Sequence, residues 1–307
     1  MRTITRLEEL AAVSRPIVFA AGAFDGVHRG HQSVLRQAQA LAREAGGEAW
    51  VLTFDPHPLK LLRPDRAPAL ITSTPHRLQL LRGLGVDGVA MLPFTAAFAA
   101  QEPDAFIDHV RESVPALKAF VVGQNWTFGR QARGNTELLR ELGRDRDFAV
   151  HVMEGLAWNG ASISSTRIRN AIGTGALADA EAMLGRPFSI YGTVVHGTKV
   201  GRQLGYPTAN VDPHNEVRPP AGIYACRTRV EDRSYPSAAF LTANPDPRKG
   251  PPDVVEVHLL DVTLDLYDQE IDVKFVMKLR DEWRFDSLDA LKAQIALDVA
   301  AARAALG

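Results

Sequence analysis

The residues GAFDGVHRGH, 22–31, put three glycines at four-residue spacing and two histidines three apart, between an apolar run and an amphipathic helix pattern. Gly22, Gly26 and Gly30 lack the Cβ that limits sharp turning and close approach to a ligand. His28 and His31 flank the opening of the following helix, whose N-terminus carries partial positive charge and outward N–H groups. An imidazole titrates near pH ~6.5, so beside a polyphosphate it donates a hydrogen bond and gains charge as a leaving oxygen becomes anionic. Phosphate is the guest these residues suit. Two other uses share them: helix capping for stability alone, and zinc ligation, which needs at least a third protein ligand that nothing nearby supplies.

A second chemical stretch is GTVVHGTKVGRQLGYPTAN, 192–210. Lys199 and Arg202 sit in a glycine-rich turn able to cover phosphates, and Thr208 and Asn210 occupy alternate positions that share a face if extended. A hydroxyl and an amide oxygen beside nucleotide phosphates suit Mg2+. Taken alone, the glycine–arginine pattern reads equally as a turn. In ISSTRIR, 163–169, Ser164, Ser165 or Thr166 can cap a helix, with Arg167 and Arg169 close to its first turn as phosphate ligands; capping alone is the alternative. Pro56 and Pro58 fix a strand end in FDPHP, where Asp55 and His57 can shape a loop.

Elements must hold these groups. Through about residue 185, apolar runs at 17–22, 48–54, 88–94, 118–124 and 149–154 alternate with helix-period segments at 31–45, 75–83, 103–114, 135–143 and 164–184. That rhythm predicts βαβ units and a parallel sheet. Beyond GRPFSIYG, 185–192, the chain becomes β-rich with Pro, Gly and Asp turns, which predicts a small antiparallel barrel or sandwich. Asp286 or Ser287 can cap a last helix whose stripe of Leu288, Leu291, Ile295 and Val299 should pack on it. The boundary falls near Arg186.

With 307 residues, the chain is long enough for about two domains. Thirty-five Lys plus Arg against 36 Asp plus Glu leave a net charge of −1, without the broad cationic face of a nucleic-acid binder or a polybasic membrane signal. The single cysteine, Cys226, excludes an intrachain disulfide and fits a reducing compartment. No apolar run approaches the ~20 residues of a membrane span, and the acidic N-terminal stretch does not read as a signal peptide. A cytoplasmic protein with small-molecule partners is expected; self-association is left open.

GAFDGVHRGH resembles the HxGH signature of the nucleotidyltransferase superfamily, in the GxFDGxHxGH version of bifunctional riboflavin kinase/FMN adenylyltransferases. LTFDPHP (52–58), LLRGLGVDGV (80–89), VVGQNWTFG (121–129) and ISSTRIR agree in order. The stretch 192–210 is similar to the riboflavin kinase motif GxxxGRxLGxPTAN, and VEVHLLD (255–261) and LYDQEIDVKFVMKLRDEWRF (266–285) continue the likeness. The resemblance implies an α/β Rossmann-like nucleotidyltransferase domain over 1–185, then a riboflavin kinase β-barrel with a C-terminal helix over 186–307. It implies phosphorylation of riboflavin to FMN, then adenylylation of FMN to FAD with release of pyrophosphate, with ATP as co-substrate and Mg2+.

The same resemblance assigns roles, and it implies that the FDPHP segment borders the flavin or nucleotide cleft. Glu256, His28, His31 and Arg169 would be catalytic, Thr208 and Asn210 would hold the metal, and Arg280 and Glu282 would lie near the flavin edge. Nucleotide contacts would come from Gly22, Phe24, Asp25, Gly26, Gly30 and Asn125, and further along from Ser165, Thr166, Lys199 and Arg202. Without the resemblance, a lone Glu256 on a strand reads as part of a solvated face. Two departures stand out: FLTANPDPRKG, 240–250, retains Asn244-Pro245 but lacks the G-x-R-P-T-F segment, and Asp268 stands where glycine usually follows LY. They motivate an alternative, an FMN adenylyltransferase whose barrel binds flavin without phosphorylating it.

Overall fold

Ile17–Ala21 is buried at all five positions, as a strand covered on both faces must be. In the computed structural model, which describes residues 1–197, 200–242 and 255–307, this run is one strand of a six-stranded parallel sheet. Its strands are β1 (Arg2–Ile4), β2 (Ile17–Ala21), β3 (Glu48–Asp55), β4 (Gly88–Pro93), β5 (Leu117–Gly123) and β6 (Ala149–Met153), in the order β1-β4-β3-β2-β5-β6. All five predicted strands are present; β1, of three residues, is too short to leave a periodic signal. Successive side chains of β2 enter different cores: Phe19 joins Trp50, Phe106 and Phe120. Val18 joins Leu35, Val51 and Val121 on the other face. The helices of this unit are α1 (Arg29–Glu44), α2 (Pro58–Leu62), α3 (Thr74–Gly83), α4 (Ala96–Ala99), α5 (Pro103–Ser113) and α6 (Thr136–Asp145). A short ribbon of β7 (Ala157–Trp158) and β8 (Ala161–Ser162) follows.

The strand order reverses at β2, which has β3 on one side and β5 on the other. Loops leaving the carboxyl ends of β2 and β5 therefore diverge, and the crevice between them is where open α/β sheets take ligands.

Packing divides the chain into Met1–Pro68 with Thr74–Ser164, and Ala69–Ser73 with Ser165–Gly307. The helix predicted over 164–184 is two, α7 (Ser165–Gly173) and α8 (Leu177–Leu184), both in the second unit. The break falls at Gly175, whose φ of 80° is outside any helix. In that unit β9 (Ser189–Val195), β10 (Ala209–Pro213), β11 (Gly222–Val230), β12 (Arg233–Leu241), β13 (Val255–Leu259) and β14 (Glu270–Arg280) close an antiparallel barrel, β10-β13-β12-β11-β14-β9. A two-residue turn at Glu231-Asp232, with Glu231 at φ 51°, joins β11 to β12 over a nine-residue register. One further helix, α9 (Val200–Gln203), precedes β10. Lys199, Asn244 and Pro245 lie outside the described residues.

The last helix, α10 (Leu288–Leu306), is capped by Ser287, whose Oγ accepts from the Ala290 N–H at 3.1 Å. Its anchoring residues are Ala302 and Leu306, packed with Ala225 and Leu260 of the barrel. The expected stripe divides: Leu288 is 66 % exposed, Leu291 and Ile295 face a cavity, and Val299 borders that cavity while also packing against the anchoring cluster as expected. A stripe at helical spacing marks an apolar face; whether protein or ligand covers it is set by the partner element.

Two candidate active sites

In the first unit the turn after β2 is built from left-handed backbone: Phe24 at φ 54°, Gly26 at 80° and Val27 at 41°. Left-handed φ at a non-glycine residue costs of order 1–3 kcal/mol and persists where packing overrides it. Phe24 and Val27 are each 1 % exposed, so their buried side chains hold the turn. His28 is the N-cap of α1, and its Nδ1 accepts from the His31 N–H at 3.2 Å. The neutral ring therefore carries its proton on Nε2. The two imidazoles stack at 3.6 Å and 15°, and a Cβ at Gly30 would come within 3.0 Å of the His28 ring. His28 thus caps α1 while its ring stacks on that of His31 at the start of the same helix. No acidic side chain occupies the first turn of α1, and Asp25 is buried in the turn that leads into it.

Gly22 and Ala23, at the root of this turn, also line a cavity of about 410 Å³ walled by Phe54, Phe98, Asn125 and Trp126. Trp126 stacks on Phe128 at 4.8 Å, so the wall is a rigid aromatic one that suits a flat ring system. The histidines do not line it. Phe54 and Pro58 of the FDPHP segment do, whereas His57 caps α2, its Nδ1 accepting from the Leu59 N–H at 3.2 Å. Asp55 accepts from the Thr74 hydroxyl at 3.0 Å. Loop shaping and cleft bordering are therefore divided between different residues of that segment.

Sequence reasoning missed Arg77 of α3. It is 4 % exposed, and its guanidinium donates to the Ala23 carbonyl at 2.8 Å and the Phe54 carbonyl at 3.1 Å, tying together the ends of β2 and β3. Burial pulls its pKa down, against the opposing charges of Asp55 and Asp25. The available signal was an arginine inside an otherwise core-facing helix, a weak one.

In the second unit, Ser165 and Thr166 form the first turn of α7, and Arg169 Nε donates to the Ala69 carbonyl at 2.7 Å.

The barrel site is assembled by register. β10 runs antiparallel to β13, with Asn210 opposite Glu256 and Ala209 opposite Val257. Thr208 and Asn210 border two cavities at once. One, of about 380 Å³, includes Arg202, Asp265 and Tyr267. The other, of about 450 Å³, includes Glu256, His258, Arg280 and Trp283, with Leu291 and Ile295 of α10. Glu256 faces this second cavity, and burial raises its carboxyl pKa above the usual range. Two loop glycines are required by the cradle: a Cβ on Gly197 would run into the Asn210 amide, and one on Gly201 would stand 2.9 Å from the Thr208 hydroxyl.

Arg280 lines the larger cavity but is committed to Asp298 of α10 through Nε at 2.8 Å and Nη2 at 2.7 Å. Its guanidinium also lies 4.8 Å from the centre of the Trp283 ring. Glu282 is exposed and does not line the cavity; Thr242 Oγ1 stands 3.5 Å from its carboxylate.

Comparison with known proteins divides the chain in the same order. Residues 10–167 match the family model for FAD synthetase, and residues 184–306 match that for riboflavin kinase. The bifunctional riboflavin kinase/FMN adenylyltransferase of Escherichia coli K12 is 38 % identical over 309 residues, covering 100 % of this chain and 98 % of that protein. The protein of the same name from Pseudomonas fluorescens is 37 % identical, over 99 % and 97 %. A crystal structure described as a macrolide-efflux protein from Streptococcus pneumoniae superposes with a TM-score of 0.83 at 29 % identity, over 98 % of each chain. Among the described residues no helix is long and apolar enough to cross a membrane. With two family models in series and full-length relatives above 30 % identity, the chain belongs to the bifunctional riboflavin kinase/FMN adenylyltransferase family.

Proposed function

We propose that the barrel transfers the γ-phosphoryl group of ATP to riboflavin and that the sheet unit joins the resulting FMN to a second ATP. The observation that carries this reading is Glu256 facing Asn210 across β10 and β13, beside a wall shared by two cavities. A nucleotide in the smaller cavity and a flavin in the larger would meet at Thr208 and Asn210. Glu256, with its raised pKa, takes the proton of the flavin 5′-hydroxyl as the new O–P bond forms and the bond to ADP breaks. Arg202 attracts the nucleotide phosphates from the rim.

The donor set fits Mg2+. Thr208 and Asn210 offer hard neutral oxygens in a cradle that glycine Cβ atoms would fill. Among the described residues there is no group of three or more His, Cys, Asp or Glu able to hold a metal, which agrees with a cation held largely by nucleotide phosphates. When bound, Mg2+ supplies neutralisation of phosphate charge.

In the adenylyl step an oxygen of the FMN phosphate attacks the α-phosphorus of ATP and pyrophosphate leaves. The nucleophile is already anionic, so alignment and charge stabilisation suffice. His28, His31 and the N-terminus of α1 provide the latter. The aromatic cavity beside Asn125 takes the flavin ring. We place the functional divide near Arg186; the FAD synthetase match ends before it, at residue 167, and the riboflavin kinase match begins at 184. The reading of the barrel as a flavin-binding module without kinase activity is not favoured: the kinase family match spans it, and Asp268 adopts φ 63° as a glycine would. Balanced charge and one buried thiol, Cys226, support a cytoplasmic setting.

Riboflavin and Mg-ATP incubated with purified protein should yield FMN first and FAD afterwards, followed by chromatography. A preparation that converts supplied FMN to FAD but makes no FMN from riboflavin overturns the kinase half; the reverse outcome overturns the other.

A further inference from the structure

His258 shares a face of β13 with Glu256 and lines the same cavity. Its Nδ1 lies 2.8 Å from the carbonyl oxygen of Pro207. A carbonyl can only accept, so Nδ1 is the donor and the neutral ring keeps Nε2 as its acceptor. Pro207 has no N–H to give to a ladder, and the pairing of β10 with β13 begins at Ala209. The peptide carrying Thr208 therefore sits just outside the regular sheet, where strand pairing does not set its plane.

Two contacts replace that pairing. The Tyr206 N–H donates to the Gly201 carbonyl at 2.8 Å, and His258 holds the Pro207 carbonyl one residue before Thr208. The Tyr206 ring meets the imidazole edge-on at 5.6 Å and 81°, which restricts the ring carrying the donor. Space for error is small, since the site of a Cβ on Gly201 is already 2.9 Å from the Thr208 hydroxyl.

We propose that His258 is a positioning residue of the kinase site, aiming the Thr208 hydroxyl by fixing the Pro207–Thr208 peptide. This rests on the assignment of Thr208 to the Mg2+ site. Groups that orient a metal-holding residue are typically worth about 10- to 100-fold in metal affinity or activity.

The test compares His258→Leu, His258→Asn and His258→Gln in the full chain. Asn places an N–H where Nδ1 stands; Gln carries the same amide one bond further out. Mn2+ retention in the presence of ADP is read from the electron paramagnetic resonance signal of free Mn2+, and FMN formation supplies kcat and KM. We expect His258→Leu and His258→Gln to weaken Mn2+ retention about tenfold and to lower kcat similarly, with KM for riboflavin within about twofold. His258→Asn should recover most of both. FAD formation from supplied FMN, in the same preparations, should be unchanged. Should His258→Leu destabilise the barrel, the contrast between the two amide variants still decides.

Mn2+ retention within about twofold of the parent in both Leu and Gln variants, or an Asn variant no better than Gln, overturns the proposal. Thr208→Val, run alongside, separates the two levels. If it leaves Mn2+ retention untouched, the metal assignment itself fails; if it weakens retention while His258→Leu does not, the positioning role alone fails.

Discussion

The two units solve phosphate chemistry by different means. In the sheet unit the essential geometry is backbone: three left-handed residues between Phe24 and Val27 and the N-terminus of α1, with His28 tied into the same turn. In the barrel it is side chains brought together by strand register, Asn210 opposite Glu256 with Thr208 beside them. On the proposed chemistry the first site has an anionic nucleophile and needs no strong base, whereas the second must deprotonate a hydroxyl, and there the half-buried Glu256 carboxyl has a raised pKa. A local motif can encode the first kind of site, whereas the second exists only once the barrel closes.

Substitutions that act on one unit and spare the other test this contrast. The largest effect should come from Glu256→Gln, which we expect to lower FMN formation by about 10³-fold, the scale of a lost general base, while FAD is still made from supplied FMN. His28→Ala should do the converse, cutting FAD formation by about 10²-fold with FMN formation nearly intact. Parallel assays of both products would expose shared catalytic machinery if the two activities fell together.

Next in size is Gly197→Ala, whose methyl group must displace the Asn210 amide. A shift of that kind is worth tens of fold in FMN formation, measured at saturating ATP and riboflavin. The pH dependence sharpens the comparison further. Glu256 acts as a base only when ionised, and burial raises its pKa, so FMN formation should fall with decreasing pH at a point above the ordinary carboxylate value of ~4.3. FAD formation should lack that limb. Protonation is favoured by folding at this position, so stability from the raised pKa is present below the unfolded value and lost as pH rises through the folded one. Glu256→Gln should therefore hold or raise Tm at neutral pH, and a lowered Tm would remove the burial argument. The smallest effect is structural: Arg77→Met strips the Ala23 and Phe54 carbonyls of a donor and should destabilise the sheet unit by about 1–3 kcal/mol in denaturant titrations.

Much of this was legible in the chain because it is local. Glycines, histidines and the strand–helix alternation lie within short windows, so the turn after β2 and the parallel sheet followed directly. The barrel strands were visible as alternating runs, but closure was not, since β10 has five residues and its pairing with β9 and β13 is a long-range choice. Glu256 looked like an ordinary surface glutamate for the same reason: its partner arrives from another strand. Arg77 and His258 escaped notice because each acts on a carbonyl, and carbonyls have no residue type. The helix expected over 164–184 is divided into α7 and α8 at Gly175, where the apolar period continues across a residue that leaves the helix.

Thr208 and Asn210 stand in a partition common to both barrel chambers. An occupant that stiffens or shifts this partition changes the binding free energy of its neighbour, and reciprocity makes the coupling equal in both directions. The ratio by which nucleotide alters flavin affinity must match the ratio by which flavin alters nucleotide affinity, so a single thermodynamic cycle measured on this barrel reports how firmly that shared wall is set.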